Sequence, residues 1–392
     1  MRHFIKGLIG GGILIILAWL GVWLYAQMRL KQVVIAQINQ MNASGVEQVS
    51  YDGITTSHSP LIASVTLLNP RLIINSESIP LPINISAARI GVHINLLDPL
   101  LLHIDVPLSI NLGNGNNGAS GVLTFATANV TETLTLPSWT GNSSNTSSSG
   151  TFDFTGISLL ASGGSLVMAR IDSLTMRQTF DSQANTNQNA VAVTETIRNF
   201  RISPLFVRLL NIPFNGVIDR LSLSLVLSGP LDWAQITSQG VQLKSDEQRN
   251  QFLIQTAHNW ATANGHGQGD VNLWLGPSHM QTHFTLGFDH KTQPMGKIDF
   301  YADHLGQFTA MLTTSYPDLQ SWINQIGTAL APNLSTTTQN GQVLTMHADY
   351  GQSGVFVNGK KTDDMPFVDW NALLNPKNLP NLAPGDESGA SL

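Results

Sequence analysis

Residues Leu102 to Leu112 read LHIDVPLSINL: an apolar side chain at every second position, six in all, with His, Asp, Pro, Ser and Asn between them. That two-residue period marks an extended strand with one oily face and one wet face. The alternation recurs at Ile90, Val92, Ile94 and Leu96, and at Leu221, Leu223, Leu225 and Leu227, where Ser222, Ser224 and Ser228 take the other side. It returns in Val271, Leu273 and Leu275, in Phe284, Leu286 and Phe288, and in Ile298 and Phe300. Ile79, Leu81, Ile83 and Ile85 form a further run, which Pro80 and Pro82 assign to a sheet edge. Strands that leave one face wet belong to antiparallel sheets. The expected body is therefore mainly β and antiparallel, built as a curved sheet, a sandwich or an open barrel with few helices. One helix is expected after the cap-like Ser315-Tyr316-Pro317-Asp318, with Leu319, Trp322, Ile323, Ile326 and Leu330 on one face and Pro332 closing it. Val355-Phe356-Val357 running into Asn358-Gly359 reads as a hairpin turn.

The N-terminus has a different period. No charged residue lies between Lys6 and Arg29, and Gly7 to Met28 gives 22 residues, enough for a helix to cross a bilayer core. Trp19, Trp23 and Tyr25 gather toward its end, as interfacial anchors do. A cleaved signal peptide would have a shorter apolar run and a small-residue cleavage site, and Leu24-Tyr25-Ala26 is a poor one. Arg2 and Lys6 precede the span, and beyond Lys31 no Lys or Arg occurs until Arg71. The expected topology is a single-pass bacterial inner-membrane protein, N-terminus cytoplasmic and body periplasmic. Leu30, Val34, Ile38 and Met41 continue the helical spacing to about Asn42, a stalk whose stripe should pack on the body. The expected organisation is a tip over 1–6, a transmembrane helix over 7–28, a stalk over 29–44, the body over 45–374 with a flexible polar loop over 137–152, and a disordered tail over 375–392.

Charged residues are only 11% of the chain, the formal net charge is −6, and no basic block exists, so a nucleic-acid footprint is not expected. Without cysteine, disulfides, thiolate nucleophiles and thiolate metal sites are excluded. GNGNNG (Gly113–Gly118) fits the spacing of a dinucleotide loop. Such a loop must open a helix and be followed some twenty residues later by an acid. Here ASGVLTFATANVTETLTL follows, which reads as β, and Glu132 comes too early, so a hairpin turn is expected. His279 and His283 have the four-residue spacing of helical metal ligands but flank a strand, where four residues span about 13 Å, too wide for one ion. His290 and His304 have no sequence feature that brings them nearer. Gly351-Gln352-Ser353-Gly354 is not a nucleophile elbow. Asp363 and Asp364 point opposite ways on an extended segment, Asp153, Asp172 and Glu132 stand alone, and Trp260, Trp274 and Trp322 read as packing residues. No residue is nominated as catalytic, cofactor-binding or metal-ligating, no cofactor is expected, and the ligand-binding residues stay open.

Short blocks in the second half carry a resemblance: SGPLDW (Ser228–Trp233), Trp260 with Gly265, LGPS (Leu275–Ser278), LGFD (Leu286–Asp289), QPMG (Gln293–Gly296) and VNGK (Val357–Lys360). Their order, with the N-terminal anchor and Tyr51-x-Gly53 near the front, resembles the alphaproteobacterial envelope proteins of domain of unknown function family 2125. It is similar, more distantly, to AsmA-like proteins associated with lipid homeostasis. The resemblance implies an inner-membrane anchor and a periplasmic β-rich body, and transfers no catalytic residue. Long one-sided apolar strands need a cover. The expected function is non-enzymatic binding of a lipid, another hydrophobic ligand or a partner protein through a sheet surface or groove. The alternatives are a closed β scaffold or assembly factor in an envelope complex and, further off, an envelope hydrolase.

Overall fold

The structure, a computed structural model, describes residues 2–44, 47–74, 82–114, 119–133, 147–161, 164, 166–231, 236, 246–321, 324, 334–337, 341–364 and 367–374, the side chains of 2–16 and of a few residues at element ends excepted. Helix α1 (Arg2–Ser44) comes first. The strands follow as β1 (Glu47–Ser50), β2 (Gly53–Thr56), β3 (Ile62–Leu68), β4 (Arg71–Ile74), β5 (Ile83–Ser86), β6 (Arg89–Asn95), β7 (Asp98–Asp105), β8 (Ser109–Asn114), β9 (Ala119–Thr124), β10 (Thr127–Thr133), β11 (Ser147–Ala161), β12 (Val167–Asp181), β13 (Asn189–Ile202), β14 (Val217–Ser228), β15 (His266–Leu275), β16 (Ser278–Phe288), β17 (Pro294–Ala302), β18 (Leu334–Thr337), β19 (Gly341–Gly351), β20 (Gly354–Val357) and β21 (Lys360–Asp363). Among the described residues four more α-helices interleave: α2 (Pro204–Leu210), α3 (Asp246–Thr262), α4 (Leu305–Ser315) and α5 (Trp370–Leu374).

All the described strands join one antiparallel sheet, and the register shows it to be a single meander. Glu47 faces Ile74 and Gly53 faces Leu68, so β1 and β2 keep one register against β4 and β3 and are two halves of one strand. The same holds for β4 and β3 against β5 and β6, and for β9 and β10 along β11. Each long strand then pairs with the next in the chain as far as β17, which pairs with β19; β18 and β20 lie on the far side of β19, and β21 follows β20. Among the described residues no pairing joins the first strand to the last, so the sheet stays open.

The interruptions line up as one transverse crease. Amides of Asp52, Asn69, Phe125 and Ala126 donate to the carbonyls of Leu68, Ala88, Leu108 and Thr155, each at the break of its own strand. The line continues through Gly156 of β11, opposite Asp172 of β12, and on to Asn199 of β13, all without loss of register. Gly156 has φ +56°, and Asn199 and Asn69 have φ +52° and +47°. Each asparagine reaches across to a carboxylate: Asn69 Nδ2 to Asp52 at 2.8 Å and Asn199 Nδ2 to Asp172 at 2.7 Å. Left-handed residues are affordable for Gly and Asn and bend an extended chain.

Helix α1 lies along the first edge of the sheet. Indole N–H groups of Trp19 and Trp23 donate to the carbonyls of Pro60 (2.9 Å) and Ile62 (3.1 Å). The Gln27 amide donates to Ser64 O (2.6 Å) and accepts from Ser64 N–H (3.0 Å); Asn42 does the same at Val49 (3.0 and 2.5 Å). One helical turn matches two strand residues in rise, so the row is sustained. Ala26 and Leu30 of α1 bury against Ala63, Val65 and Ile94, with Val34 packed beside them, and Ile38 is buried too. A second core joins Ala190, Val191, Leu231 and Trp260 of α3 beside β13 and β14.

Several expectations change. Trp19 and Trp23, read as interfacial anchors, donate to the carbonyls of Pro60, before β3, and Ile62, in it. Among the described residues no helix is long and apolar enough to cross a membrane; of the expected span over 7–28, the side chains of 7–16 lie outside the described part. Residues 147–152, expected in the flexible loop, open β11 and pair with β10 and β12, because the serines there take the ladder bonds that flank Phe152 and Phe154. The expected helix after Ser315 begins with a 3₁₀ turn over Pro317–Leu319, and Trp322, Ile323, Ile326 and Leu330 lie outside the described residues, as do Ile79 and Leu81. Helices α3 and α4 were not expected.

Candidate functional site

Residues directly opposite in neighbouring strands share a face. One row crosses the sheet as Ile104, Val130, Phe152, Met176, Glu195, Leu223, Val271, Thr282, Phe300 and Met346. The row beside it holds Phe154, Leu174, Ile197, Leu221, Leu273, Met280 and Ala302. One face of the meander is thus apolar over some ten strands. Its margins are covered: α1 sits at β3 and β6, and Trp260 of α3 meets Phe288 edge-on at 5.6 Å. Val191, Leu275, Ala302 and Leu344 are buried there. Between the covers Phe152, Met176, Leu223, Val271, Phe300 and Met346 are only half-buried, and Ile298 is 39% exposed.

Two details keep this face smooth. A side chain at Gly269 would meet the Phe284 ring at 2.4 Å, and one at Gly296 would meet Tyr350 Oη at 2.6 Å. The aromatic rings lie across glycines of the adjacent strands, the pairing that stabilises a glycine inside a sheet. Carboxyls also interrupt the apolar surface. Glu195 stands in the central row, and Glu132 of β10 lies between Leu102 and Gly150. Desolvation pushes the Glu132 carboxyl above the usual range, with a hydrogen bond from Ser148 pulling the other way.

The opposite face is polar and carries an acid–histidine ladder. Asp270, His283, Asp299 and His347 stand opposite one another on β15, β16, β17 and β19. His283 Nδ1 lies 2.8 Å from Asp270, His347 Nδ1 lies 2.5 Å from Asp299, and His347 Nε2 lies 2.9 Å from Asp349. The bond to Asp299 raises the His347 pKa, and the charges of Asp349 and Asp299 add to it. Trp274 is sandwiched between the Arg220 guanidinium (4.8 Å) and the stacked His279 ring (4.5 Å). Further along, a cleft of about 630 Å³ is lined by Thr66, Arg89, Gly91, His93, His103, Asp105 and Asn129, among others. His93 stacks on His103 at 4.8 Å and bonds Asp105 at 3.0 Å.

His279 and His283 lie on the same strand and go to different partners, and among the described residues no cluster of three potential ligands could hold a metal. Gly113 pairs with Ala119 across the antiparallel β8–β9 hairpin, so the GNGNNG segment joins two strands and opens no helix; its residues 115–118 lie outside the described part. His304 bonds Asp303, Asp364 meets Lys361, and Asp172 holds Asn199, so these are local contacts. Sequence reasoning missed the ladder and the cleft. HID at 103–105 and the lone polar residues in β15 to β19 were visible, but which of them stand opposite each other is a matter of register.

The blocks that carried the resemblance turn out to be corners of the sheet. Trp260 donates to Ser228 O at 3.0 Å, over Gly229 and Gly265, where a side chain at Gly265 would strike the indole. Gly276 has φ +57°, and its amide donates to Asp219 at 2.5 Å. Asp289 caps the β16–β17 turn, and buried Gln293 exchanges two bonds with Val368. Asn358 and Gly359, φ +49° and +78°, make the tight β20–β21 turn. No curated protein and no solved structure matches the chain. The family model described as an uncharacterized protein conserved in bacteria matches residues 23–346, from Trp23 on α1 into β19. The chain therefore belongs to domain of unknown function family 2125.

Proposed function

We propose that this protein is a membrane-anchored envelope factor that works by binding, offering the apolar face of its long sheet to lipid or a comparable hydrophobic ligand. The observation that carries the reading is the largely apolar surface from β10 to β19 whose central side chains stay half-buried between covered margins. Burial is worth about 25 cal/mol per Å² of apolar area, so such a surface favours an occupant of the same chemistry. An acyl chain satisfies its apolar rows, and Glu195 and Glu132 are the polar groups set among them. The Gly7–Met28 segment supports an inner-membrane anchor, and the charges at Arg2 and Lys6 with a long following body support a cytoplasmic N-terminus and periplasmic body. Mass spectrometry of organic extracts from the purified protein tests the binding. Lipid enriched over an unrelated membrane protein prepared alike is expected. Extracts indistinguishable from that control would leave the sheet as a scaffold.

A further inference from the structure

Helix α1 is amphipathic in an unusual sense: its inward face is held by the body while its outward face stays apolar. Trp19, Trp23, Ala26, Gln27 and Leu30 face the sheet. Leu17, Leu24, Tyr25 and Met28 point away at helical spacing, each more than half exposed, and the first charged residue exposed on that outward side is Lys31. Trp19 is bonded to Pro60, so the loop over 57–61 sits at the level of Trp19. From there to Met28 the outward face remains oily for nine residues, about 13 Å of helix. A helix that starts to cross at Gly7 also needs about 20 apolar residues, which carries it well past Trp19.

The body presents apolar side chains at that same level. The Leu96 amide donates to Leu61 O at 2.9 Å, tying the β6–β7 turn to the loop beside Trp19. On this tip Leu97 is 72% exposed, Leu61 48% and Leu100 39%. Three exposed leucines on one turn pair have no counterpart in a polar surface, and they continue the apolar N-terminal segment sideways.

We propose that the tip formed by Leu61, Leu97 and Leu100 is a second membrane-contact surface, entering the headgroup–acyl boundary beside α1, so that the body sits against the bilayer with no free stalk between them. The partner is the lipid surface itself. Asp98, exposed next to Leu97, sets the depth: its carboxylate stays among the headgroups while the leucines reach the acyl boundary. The inference rests on the reading of α1 as an anchor, and the test separates the two.

The chain has no cysteine, so single probes are unambiguous. Full-length Leu97→Cys, Leu61→Cys, Leu17→Cys and Ser353→Cys would each carry a nitrobenzoxadiazole fluorophore in phosphatidylethanolamine–phosphatidylglycerol vesicles with nitroxide-bearing acyl chains. Probes at 97 and 61 should lose about half their emission or more, as an interfacially inserted group does, and the probe at 353, on an exposed turn, should lose little. Emission at 97 and 61 matching that at 353, with the probe at 17 quenched, overturns the tip and leaves the anchor standing. No quenching at 17, 61 or 97 removes both.

Discussion

Gln27 does for the sheet edge what a neighbouring strand would do. Its amide meets both the N–H and the C=O of Ser64, and Asn42 repeats the arrangement at Val49. An unpaired strand edge is a template for aggregation, and α1 covers it with side chains. Gln27→Ala should lower stability by about 1–3 kcal/mol, the cost of leaving buried backbone groups unsatisfied. Denaturant unfolding in detergent would show it, and an unchanged midpoint would mean that the edge is held otherwise. Glu132 acts in the other direction. Its folded pKa is raised by desolvation, so the folded state binds the proton more tightly than the unfolded one. Its contribution is favourable below the unfolded value of 4.5 and is lost as pH rises through the folded pKa. Glu132→Gln should therefore raise the melting midpoint at pH 7 and change it little at pH 4. A lowered midpoint at pH 7 would show the carboxylate to be held by a partner. Little at this scale was legible beforehand, since polar residues in alternating strands announce a face and leave their opposite numbers unspecified.

Among the elements, the crease distinguishes this sheet from a plain meander. On four of the strands the crease falls at a left-handed residue or a proline: Asn69-Pro70, Pro107, Gly156, Asn199. Gly156 is the most constrained, because a side chain there would lie 2.7 Å from the Ala126 Cβ at positive φ. Gly156→Ala should cost about 1–3 kcal/mol from overpacking and backbone strain together, read as a lower unfolding midpoint. Unchanged stability would indicate that β11 passes the crease without bending. The alternation in Leu102–Leu112 and Leu221–Leu227 made the strands readable, because period two is a local property. The crease was not readable, since LHIDVPLSINL keeps its alternation through the break at 106–108. Helix α3 was hidden for a different reason: DEQRNQFLIQTAHNWAT carries a thin apolar stripe, and its stability comes from Trp260 docking on Leu227 and Phe288.

For the whole molecule, one open sheet carries two unlike faces. The polar face satisfies itself with ion pairs such as Asp299–His347, while the described residues cover the apolar face at its margins. A mainly β, antiparallel body could be read from alternation alone, but whether it closes could not, because closure depends on which strands end up first and last. Ile298 and Asp299 are neighbours on β17 that point to opposite faces, which makes them the sharpest probe of sidedness. A photoreactive amino acid placed at each position in turn, irradiated in cells and followed by mass spectrometry of the adducts, asks directly what each face touches. Lipid adducts from position 298 and none from position 299 are the expected result; adducts to protein alone at 298, or equal lipid labelling at both, would contradict the lipid-binding face.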